Sequence, residues 1–235
     1  MPLVLSILLI VFSTTLSAQE SINTSWSDLT AWDEQLFPKI KAHTQYTIER
    51  DESDIPVIKA VSTQSASGLI HKQLVNVYQQ PLISWEWNVS NVFSKGDATK
   101  KSGDDYPARV YILFEYDPER ASVFKRLRYD SVKLIYGLYP PDTTLNYIWA
   151  NKTHERKYIP NPYSAETMMY ILQTGVHNVG SWQKESRHIL NDYRASFEQD
   201  PPTHARIGIM VDSDNTRESA TTYFRNFKIA RESRS

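Results

Sequence analysis

Acidic residues stand just ahead of an arginine in the segment GDDYPARVY, residues 103–111. Asp104 and Asp105 are followed by Tyr106-Pro107, and a residue before proline is restricted to extended backbone, so a stretched loop is expected here. Arg109 then begins a strand pattern. Carboxylates beside an arginine suit two uses: hydrogen bonding to sugar hydroxyl groups, or a structural ion pair that holds the loop against the sheet.

The strand that follows has one polar face. Side chains two apart along a strand share a face, so Tyr111 lies on the same side as Arg109. If the strand LISWEWNV, residues 82–89, lies beside it, Glu86 joins them, and together they form a surface suited to hydroxyl-rich ligands. The predicted ligand-binding residues of this group are Glu86, Asp104, Asp105, Arg109 and Tyr111.

A second group of oxygen donors follows the strand pattern ARIGIMV. Asp212, Asp214 and Asn215 offer hard oxygen ligands of the kind that calcium takes. The segment is not an EF-hand loop, because Thr216 stands where an Asp or Asn ligand is expected and no glycine follows it. Asp and Asn also dominate ordinary turns. The segment therefore predicts either a plain turn or the rim of a ligand-binding site, with Asp212 and Asp214 as candidate calcium ligands.

The string EYDPE, residues 115–119, resembles the paired glutamates of laminarinase-like glycoside hydrolases. Retaining glycosidases hold two carboxyl groups about 5 Å apart across the scissile bond. Pro118 removes a ladder donor, however, and Asp-Pro-Glu is typical of a helix start with Asp117 as its N-cap. The enzyme alternative, a polysaccharide hydrolase or lyase, would take its carboxylate pair from Glu86, Asp104, Asp105 or Glu115.

Apolar side chains recur at every second position in most of the chain, which predicts strands. The clearest case is residues 82–89, where Trp85 and Trp87 are expected in the core. Other strand patterns occur in residues 44–49, 57–63, 65–71, 108–116, 144–150, 166–174, 205–211 and 221–230.

Two helices are predicted between these strands. Residues 117–137 begin at Asp117 and end at a glycine, and residues 181–197 carry a stripe of side chains four apart that ends before two prolines. The pattern favours a mainly β, jelly-roll-like antiparallel β-sandwich with two helical insertions.

Composition limits the classes of function. The formal net charge of -1 gives no general attraction to nucleic acid, so none is predicted as a partner. Cysteine is absent from the sequence, which excludes disulfides and thiolate zinc sites.

Residues 1–18 have the layout of a signal peptide, which predicts a periplasmic or secreted protein. One domain is expected over residues 19–235, with no transmembrane segment after cleavage.

Several of these segments together resemble a family of exported bacterial proteins known as domain of unknown function 3047. The resemblance rests on SASGL (65–69), PLISWEWNV (81–89), GDDYPARVYILFEYDPER (103–120), LNYIWAN (145–151), NDYRASF (191–197) and GIMVDSDNTRESATTYF (208–224). It implies no activity, because the family has no settled one. The first and last strand patterns are also similar, more loosely, to those of jelly-roll carbohydrate-binding domains.

The expected function is non-catalytic binding of a carbohydrate or another ligand derived from the cell envelope. No cofactor is predicted apart from the calcium alternative, and the sequence does not indicate an oligomeric state. Besides the enzyme alternative, a third hypothesis is a structural envelope protein that binds another protein through the first helix. An exposed apolar stripe on that helix would favour this hypothesis over the other two.

Overall fold

The computed structural model describes residues 26–119, 121–136 and 139–232. The predicted signal peptide, residues 1–18, lies outside them. The helices are α1 (Val123–Tyr136) and α2 (Ile189–Phe197). The strands, numbered along the chain, are β1 (Trp32–Gln35), β2 (Gln45–Arg50), β3 (Pro56–Thr63), β4 (Ala66–His71), β5 (Val75–Asn76), β6 (Leu82–Val89), β7 (Arg109–Phe114), β8 (Thr144–Ala150), β9 (Tyr158–Pro160), β10 (Thr167–Thr174), β11 (Gln183–His188), β12 (His204–Asp212) and β13 (Ser219–Ala230).

These strands form two sheets, called sheet A and sheet B. Sheet A has the order β1-β4-β12-β7-β8-β10-β9, with β5 also paired to β12, and sheet B has the order β11-β6-β13-β3-β2. Within the described residues, the pair β8 and β10 is parallel and the other pairs are antiparallel. The prediction of a mainly β, jelly-roll-like sandwich with two helices is confirmed: α1 joins β7 to β8, and α2 joins β11 to β12.

Aromatic side chains fill the space between the sheets. Trp85 and Trp87 of β6 are fully buried, as their alternation with polar residues predicted. The Trp85 ring centroid lies 5.4 Å from that of Tyr147 on β8, and the Trp87 centroid lies 6.0 Å from that of Trp149. Removing one such ring costs about 3–5 kcal/mol in other proteins, so these pairs are a main source of cohesion between the sheets.

The first helix begins later than predicted. Asp117 does not cap it: Asp117 Oδ1 accepts a hydrogen bond from Glu119 N at 2.9 Å, which closes a local turn. The helix starts at Val123, and Ser122 Oγ accepts from Lys125 N at 3.3 Å in the position of an N-cap. A short polar turn that includes Pro118 therefore separates β7 from α1.

The second predicted helix, residues 181–197, is a strand followed by a shorter helix. Residues Gln183–His188 form β11, which pairs with β6 at the edge of sheet B. Only from Ile189 does the chain become helical, with His188 Nδ1 accepting from Asn191 N at 3.3 Å as the cap. The predicted helix start at residue 181 is wrong, because the spacing of four that indicated a helix begins at Ile189.

Loops cover part of the outer face of sheet A, the face turned away from the core. Tyr106 and Ala98, which belong to the segment before β7, pack on the outward side chains of Ile148 and Met169. Among the residues described, none of the helices has the length and apolar character needed to cross a bilayer.

Candidate functional site

A buried group of charged residues lies at one end of the outer face of sheet A. Val110 and Ile112 of β7 point into the core, so Arg109 and Tyr111 project from the outer face. In the antiparallel pair of β7 and β12, Arg109 lies opposite Met210, which places the start of β7 beside Asp212 at the end of β12. We call Asp104, Asp105, Arg109, Asp212 and Asp214 the aspartate cluster.

Arg109 holds two parts of the cluster together. Its Nε donates to Asp212 Oδ1 at 2.8 Å, and its Nη2 donates to Asp212 Oδ2. The same Nη2 donates to the Asp104 carbonyl oxygen at 2.5 Å, while Tyr106 covers the guanidinium, with the ring centroid 4.2 Å from Cζ. Arg109 therefore pairs with Asp212 of β12 in a bidentate arrangement and holds the loop through the Asp104 carbonyl oxygen, as the structural alternative at this segment predicted.

Asp105 meets the turn after β12. Its Oδ2 accepts from Thr216 N at 2.6 Å, and its carbonyl oxygen accepts from Asn151 Nδ2 at 2.7 Å. Asp105 Oδ1 and Thr216 Oγ1 are buried without a hydrogen-bond partner. Nearly all buried polar atoms in proteins have a hydrogen-bond partner, so these two oxygens call for a physical explanation.

Local hydrogen bonds fix the turn that carries Asp214. Ser213 N donates to Ser65 O at 2.9 Å, and the Ser213 and Ser62 hydroxyl groups lie 2.8 Å apart, so the turn is tied to sheet B as well as sheet A. Arg217 closes the turn, with its N donating to Ser213 O at 2.9 Å and a φ of 59° in the left-handed region. The turn is thus a rigid support for the side chains it presents.

Negative charge exceeds positive charge in this group, which has four carboxyl groups and one guanidinium. Burial raises the pKa of Asp212 to about 8, against the opposing effect of Arg109 and with added repulsion from Asp105. Burial, followed by repulsion from Asp105, also raises the pKa of Asp214. A further positive charge in the cluster would relieve this repulsion.

The cluster is connected to an exposed edge, which we call the rim: Tyr163, Asp214 and Asn215. Asn215 Nδ2 donates to the Tyr163 hydroxyl at 3.4 Å, and that hydroxyl donates to Lys101 O at 2.9 Å. Asn161 links the rim to the cluster, because its Oδ1 accepts from Tyr163 N at 2.9 Å and its Nδ2 donates to Asp104 Oδ2 at 3.1 Å. The exposed Tyr163 ring is therefore held in a fixed position.

The structure brings together most of the residues predicted for the site. Asp104, Asp105, Arg109 and Asp212 lie buried in one place, with Asp214 half-buried beside them and Asn215 exposed at the rim. Tyr111 is half-buried on the same outer face, and its hydroxyl donates to Met210 Sδ at 3.6 Å. The loop that carries Tyr106 covers this polar face at Arg109.

The prediction that Glu86 lies beside Arg109 is wrong. Strand β6 belongs to sheet B, between β11 and β13, whereas Arg109 belongs to sheet A. Glu86 Oε2 accepts from Arg225 Nε at 2.8 Å, which satisfies it locally. The alternation of side chains along β6 shows which residues share a face, but it does not show which strands are neighbours.

Sequence reasoning missed several polar residues near the site. Tyr163 and Asn161 belong to a proline-containing turn, and Thr216 was considered only as a defect in an EF-hand pattern. Asn146 lies on the outer face of β8 opposite Tyr111, and neither polar atom of its buried amide has a partner. The sequence does contain a sign of this residue, because Asn146 is the one amide side chain in the otherwise apolar strand LNYIWA.

Among the structures similar in shape is the family 30 carbohydrate-binding module of a Clostridium thermocellum cellulosomal cellulase, 10% identical with a TM-score of 0.44, covering 87% of this chain and 93% of that chain. Endoglucanase cel12A from Rhodothermus marinus is 10% identical with a TM-score of 0.43, covering 86% and 96%. A Bauhinia forficata lectin in complex with GalNAc is 11% identical with a TM-score of 0.37, covering 88% and 95%.

A search of curated proteins finds no similar sequence. The model of one family matches residues 30–228, which is most of the chain and includes every residue of the aspartate cluster and the rim. That family is described as protein of unknown function (DUF3047). The chain belongs to the DUF3047 family.

Proposed function

We propose that the protein is an exported, non-catalytic binding protein for a carbohydrate of the cell envelope, and that the rim is where the sugar binds. The observation that carries the proposal is the fixed geometry of the rim. An exposed tyrosine ring, an amide and a carboxylate stand together, and hydrogen bonds hold the tyrosine and the amide in place.

These groups fit a hydroxyl-rich ligand. An aromatic ring packs against the apolar face of a sugar, while Asn215 and Asp214 provide a donor and acceptors for its hydroxyl groups. Because Tyr163 is anchored through its own hydroxyl and backbone, little conformational freedom is lost on binding.

The buried members of the cluster then act as supports. Asp104, Asp105 and Asp212 are enclosed, so they position the loop and the turn rather than accept hydrogen bonds from the sugar itself. This differs from the sequence-based expectation, in which these aspartates contacted the ligand. Arg109 likewise binds the chain and is covered by Tyr106.

Binding is favoured over hydrolysis by the positions of the four carboxylates predicted for catalysis. Glycoside hydrolysis needs two carboxyl groups that the substrate reaches at once. Glu86 lies in sheet B. Glu115 follows the end of β7, whereas Arg109 stands at its start, and Glu115 Oε1 lies 3.5 Å from Arg206 Nη2. The other two, Asp104 and Asp105, are buried.

Affinity gel electrophoresis on a panel of polysaccharides tests the proposal. We expect at least one polysaccharide to retard the wild-type protein, and the variants Tyr163→Ala and Asn215→Ala to migrate as in a gel without polysaccharide. Tyr78→Ala is the matched control, because Tyr78 is also an exposed tyrosine but lies away from the rim. It follows β5, which pairs with the start of β12, whereas Asp212 stands at the end of β12.

Equal retardation of the wild type and Tyr163→Ala would place the sugar elsewhere. Retardation by none of the polysaccharides would remove the support for sugar binding. Release of reducing ends from the same panel would show that the protein is an enzyme.

The exposed apolar stripe of α1 favours the third sequence-based alternative, binding through this helix, and we infer as a second candidate function that the surface it binds is a membrane rather than another protein. Phe124 and Leu134 are 87% and 89% exposed, and Val123 and Leu127 extend the same stripe along the helix. This apolar stripe is therefore exposed. The helix is anchored through other side chains: Lys125 Nζ donates to Asp142 Oδ1, and the Tyr129 hydroxyl donates to the Pro141 carbonyl oxygen.

Charge favours an anionic surface for this stripe. By the helical spacing of 100° per residue, Arg126 and Lys133 lie on one side of the stripe together with Asp130, and Arg128, which is paired with Glu166, lies on the other. Apolar side chains flanked by basic ones are typical of helices that lie in the interface of a membrane containing anionic lipids.

Co-sedimentation with vesicles tests this second candidate. Binding to vesicles rich in phosphatidylglycerol, weaker binding to phosphatidylcholine alone, and loss of binding in Phe124→Ser Leu134→Ser are expected. Equal sedimentation of the wild type and the double variant would exclude α1 as the contact.

A further inference from the structure

We propose that the aspartate cluster is a binding site for a divalent cation of the calcium type, held by Asp105, Asp212, Asp214 and Thr216. The site shares Asp214 with the rim and adds Thr216 to three members of the cluster. The proposal stands whether or not the rim binds a sugar.

The distances between the carboxylates fit one ion. One carboxylate oxygen from each of Asp105, Asp212 and Asp214 lies within 4.8 Å of the others. Calcium binds oxygen ligands at about 2.3–2.6 Å, so two ligands of the same ion stand at most about 5 Å apart. A single ion can therefore touch all three aspartates with little movement of the side chains.

Two unpartnered oxygens provide independent support. Asp105 is 0% exposed and Thr216 is 2% exposed, yet Asp105 Oδ1 and Thr216 Oγ1 have no hydrogen-bond partner. The two residues are adjacent, since Thr216 N donates to the other Asp105 oxygen at 2.6 Å. Leaving such atoms unsatisfied is costly, and a cation bound by both would remove that cost.

Charge leads to the same conclusion. Arg109 directs its hydrogen bonds to the Asp212 carboxylate and the Asp104 carbonyl oxygen, so the charges on Asp105 and Asp214 are left without a bonded cation. A metal ion would supply the missing positive charge.

The donor types select the class of ion. Carboxylate and hydroxyl oxygens suit calcium, magnesium and manganese, whereas zinc and copper sites use imidazole or thiolate ligands. Calcium tolerates irregular coordination better than magnesium, and here one ligand, Asp212, is already fixed by Arg109.

The ion would also stabilise the turn that carries the rim. Asp214 and Thr216 flank Asn215, so a ligand on each side of it would fix the position of its amide. Binding of the cation would then add to the hydrogen bond between Asn215 and Tyr163 that already holds the rim in place.

Calorimetric titration with CaCl₂, after treatment with EDTA and dialysis, tests the proposal without any sugar present. We expect one site per chain and a rise in the melting temperature on addition of CaCl₂. In Asp214→Asn we expect a calcium affinity at least about tenfold lower, since even mutations of residues that only support metal ligands lower the metal affinity about 10- to 100-fold. Asp117→Asn is the matched control, because Asp117 accepts a backbone hydrogen bond in an exposed turn outside the cluster.

Thr216→Val distinguishes a cation ligand from a merely structural residue. Valine keeps the shape and the backbone donor to Asp105 but lacks the unpartnered hydroxyl. In EDTA this variant is expected to be at least as stable as the wild type, and with CaCl₂ it is expected to gain less in melting temperature. Absence of heat and of a shift in melting temperature with CaCl₂, MgCl₂ and MnCl₂ would overturn the proposal, as would equal calcium affinity in the wild type and Asp214→Asn.

Discussion

Replacing Arg109 by methionine tests whether the cluster depends on its one cation. Methionine fills a similar volume but removes the bidentate pair with Asp212 and the bond to the Asp104 carbonyl oxygen. Breaking a buried ion pair by removing one partner costs about 3–5 kcal/mol, because the other charge is left without compensation. Since whole domains are stable by only about 5–15 kcal/mol, the loss is large.

Urea unfolding followed by tryptophan fluorescence measures this loss at about pH 9, above the raised pKa of Asp212 so that its carboxylate is charged, and in EDTA so that no metal ion compensates. Arg194→Met is the control: Arg194 Nε lies 2.7 Å from Asp200 Oδ1, but the arginine side chain is 48% exposed, against 5% for Arg109. An exposed pair contributes about 0–1 kcal/mol, so the control is expected to remain near the wild type.

The double variant Arg109→Met Asp212→Asn separates the two sources of the loss. If the unpaired Asp212 charge causes most of it, removing that charge as well is expected to recover part of the stability lost in the single variant. A loss below about 1 kcal/mol in Arg109→Met, or a double variant less stable than the single one, would contradict the explanation that the unpaired Asp212 charge causes the loss.

The remaining predictions concern single side chains, each checked by urea unfolding. Asn151→Ala is expected to cost about 1–3 kcal/mol, because it leaves a buried backbone donor and the Asp105 carbonyl oxygen unpaired; a loss below about 0.5 kcal/mol would contradict this. Gly96→Ala is expected to destabilise by about 1–3 kcal/mol, since the new Cβ would lie 2.0–2.9 Å from Asn151 side-chain atoms; a neutral result would show that this side chain moves freely. Glu185→Gln is expected to stabilise at pH 7, because burial raises the pKa of Glu185 and so disfavours its charged form. Below the unfolded-state pKa this advantage disappears, and it grows as the pH rises through the folded-state pKa; an advantage that does not change with pH would contradict the assignment.

Sequence reasoning found β6 and β7 from the face that each of them packs in the core. β6 and β7 alternate apolar and polar residues because one side of each packs in the core, and that pattern is visible locally. β11 was missed because Gln183–His188 is polar throughout and is held by pairing with β6 rather than by burial. Such an edge strand depends on a partner about a hundred residues away in the sequence, which a local pattern does not record.

The site was predicted in part for a similar reason. The extended loop before Pro107 and the acidic turn after β12 are local features, and the antiparallel pairing of β7 with β12 then brings Asp105 and Asp212 together. The sheet to which Glu86 belongs, and the contact of Tyr163 with Asn215, follow from long-range contacts. The loop over Arg109 was not predicted, because a loop's path across a sheet leaves no periodic signal.

The aspartate cluster is proposed to bind a cation rather than to serve only as a buried ion pair. The decisive measurement is a crystal structure of the protein grown with MnCl₂, with anomalous data collected for manganese. We expect an anomalous peak bonded to carboxylate oxygens of Asp105, Asp212 and Asp214 and to the Thr216 hydroxyl. A map with no peak in the cluster, and Asp105 Oδ1 paired instead with a protein donor, would contradict it.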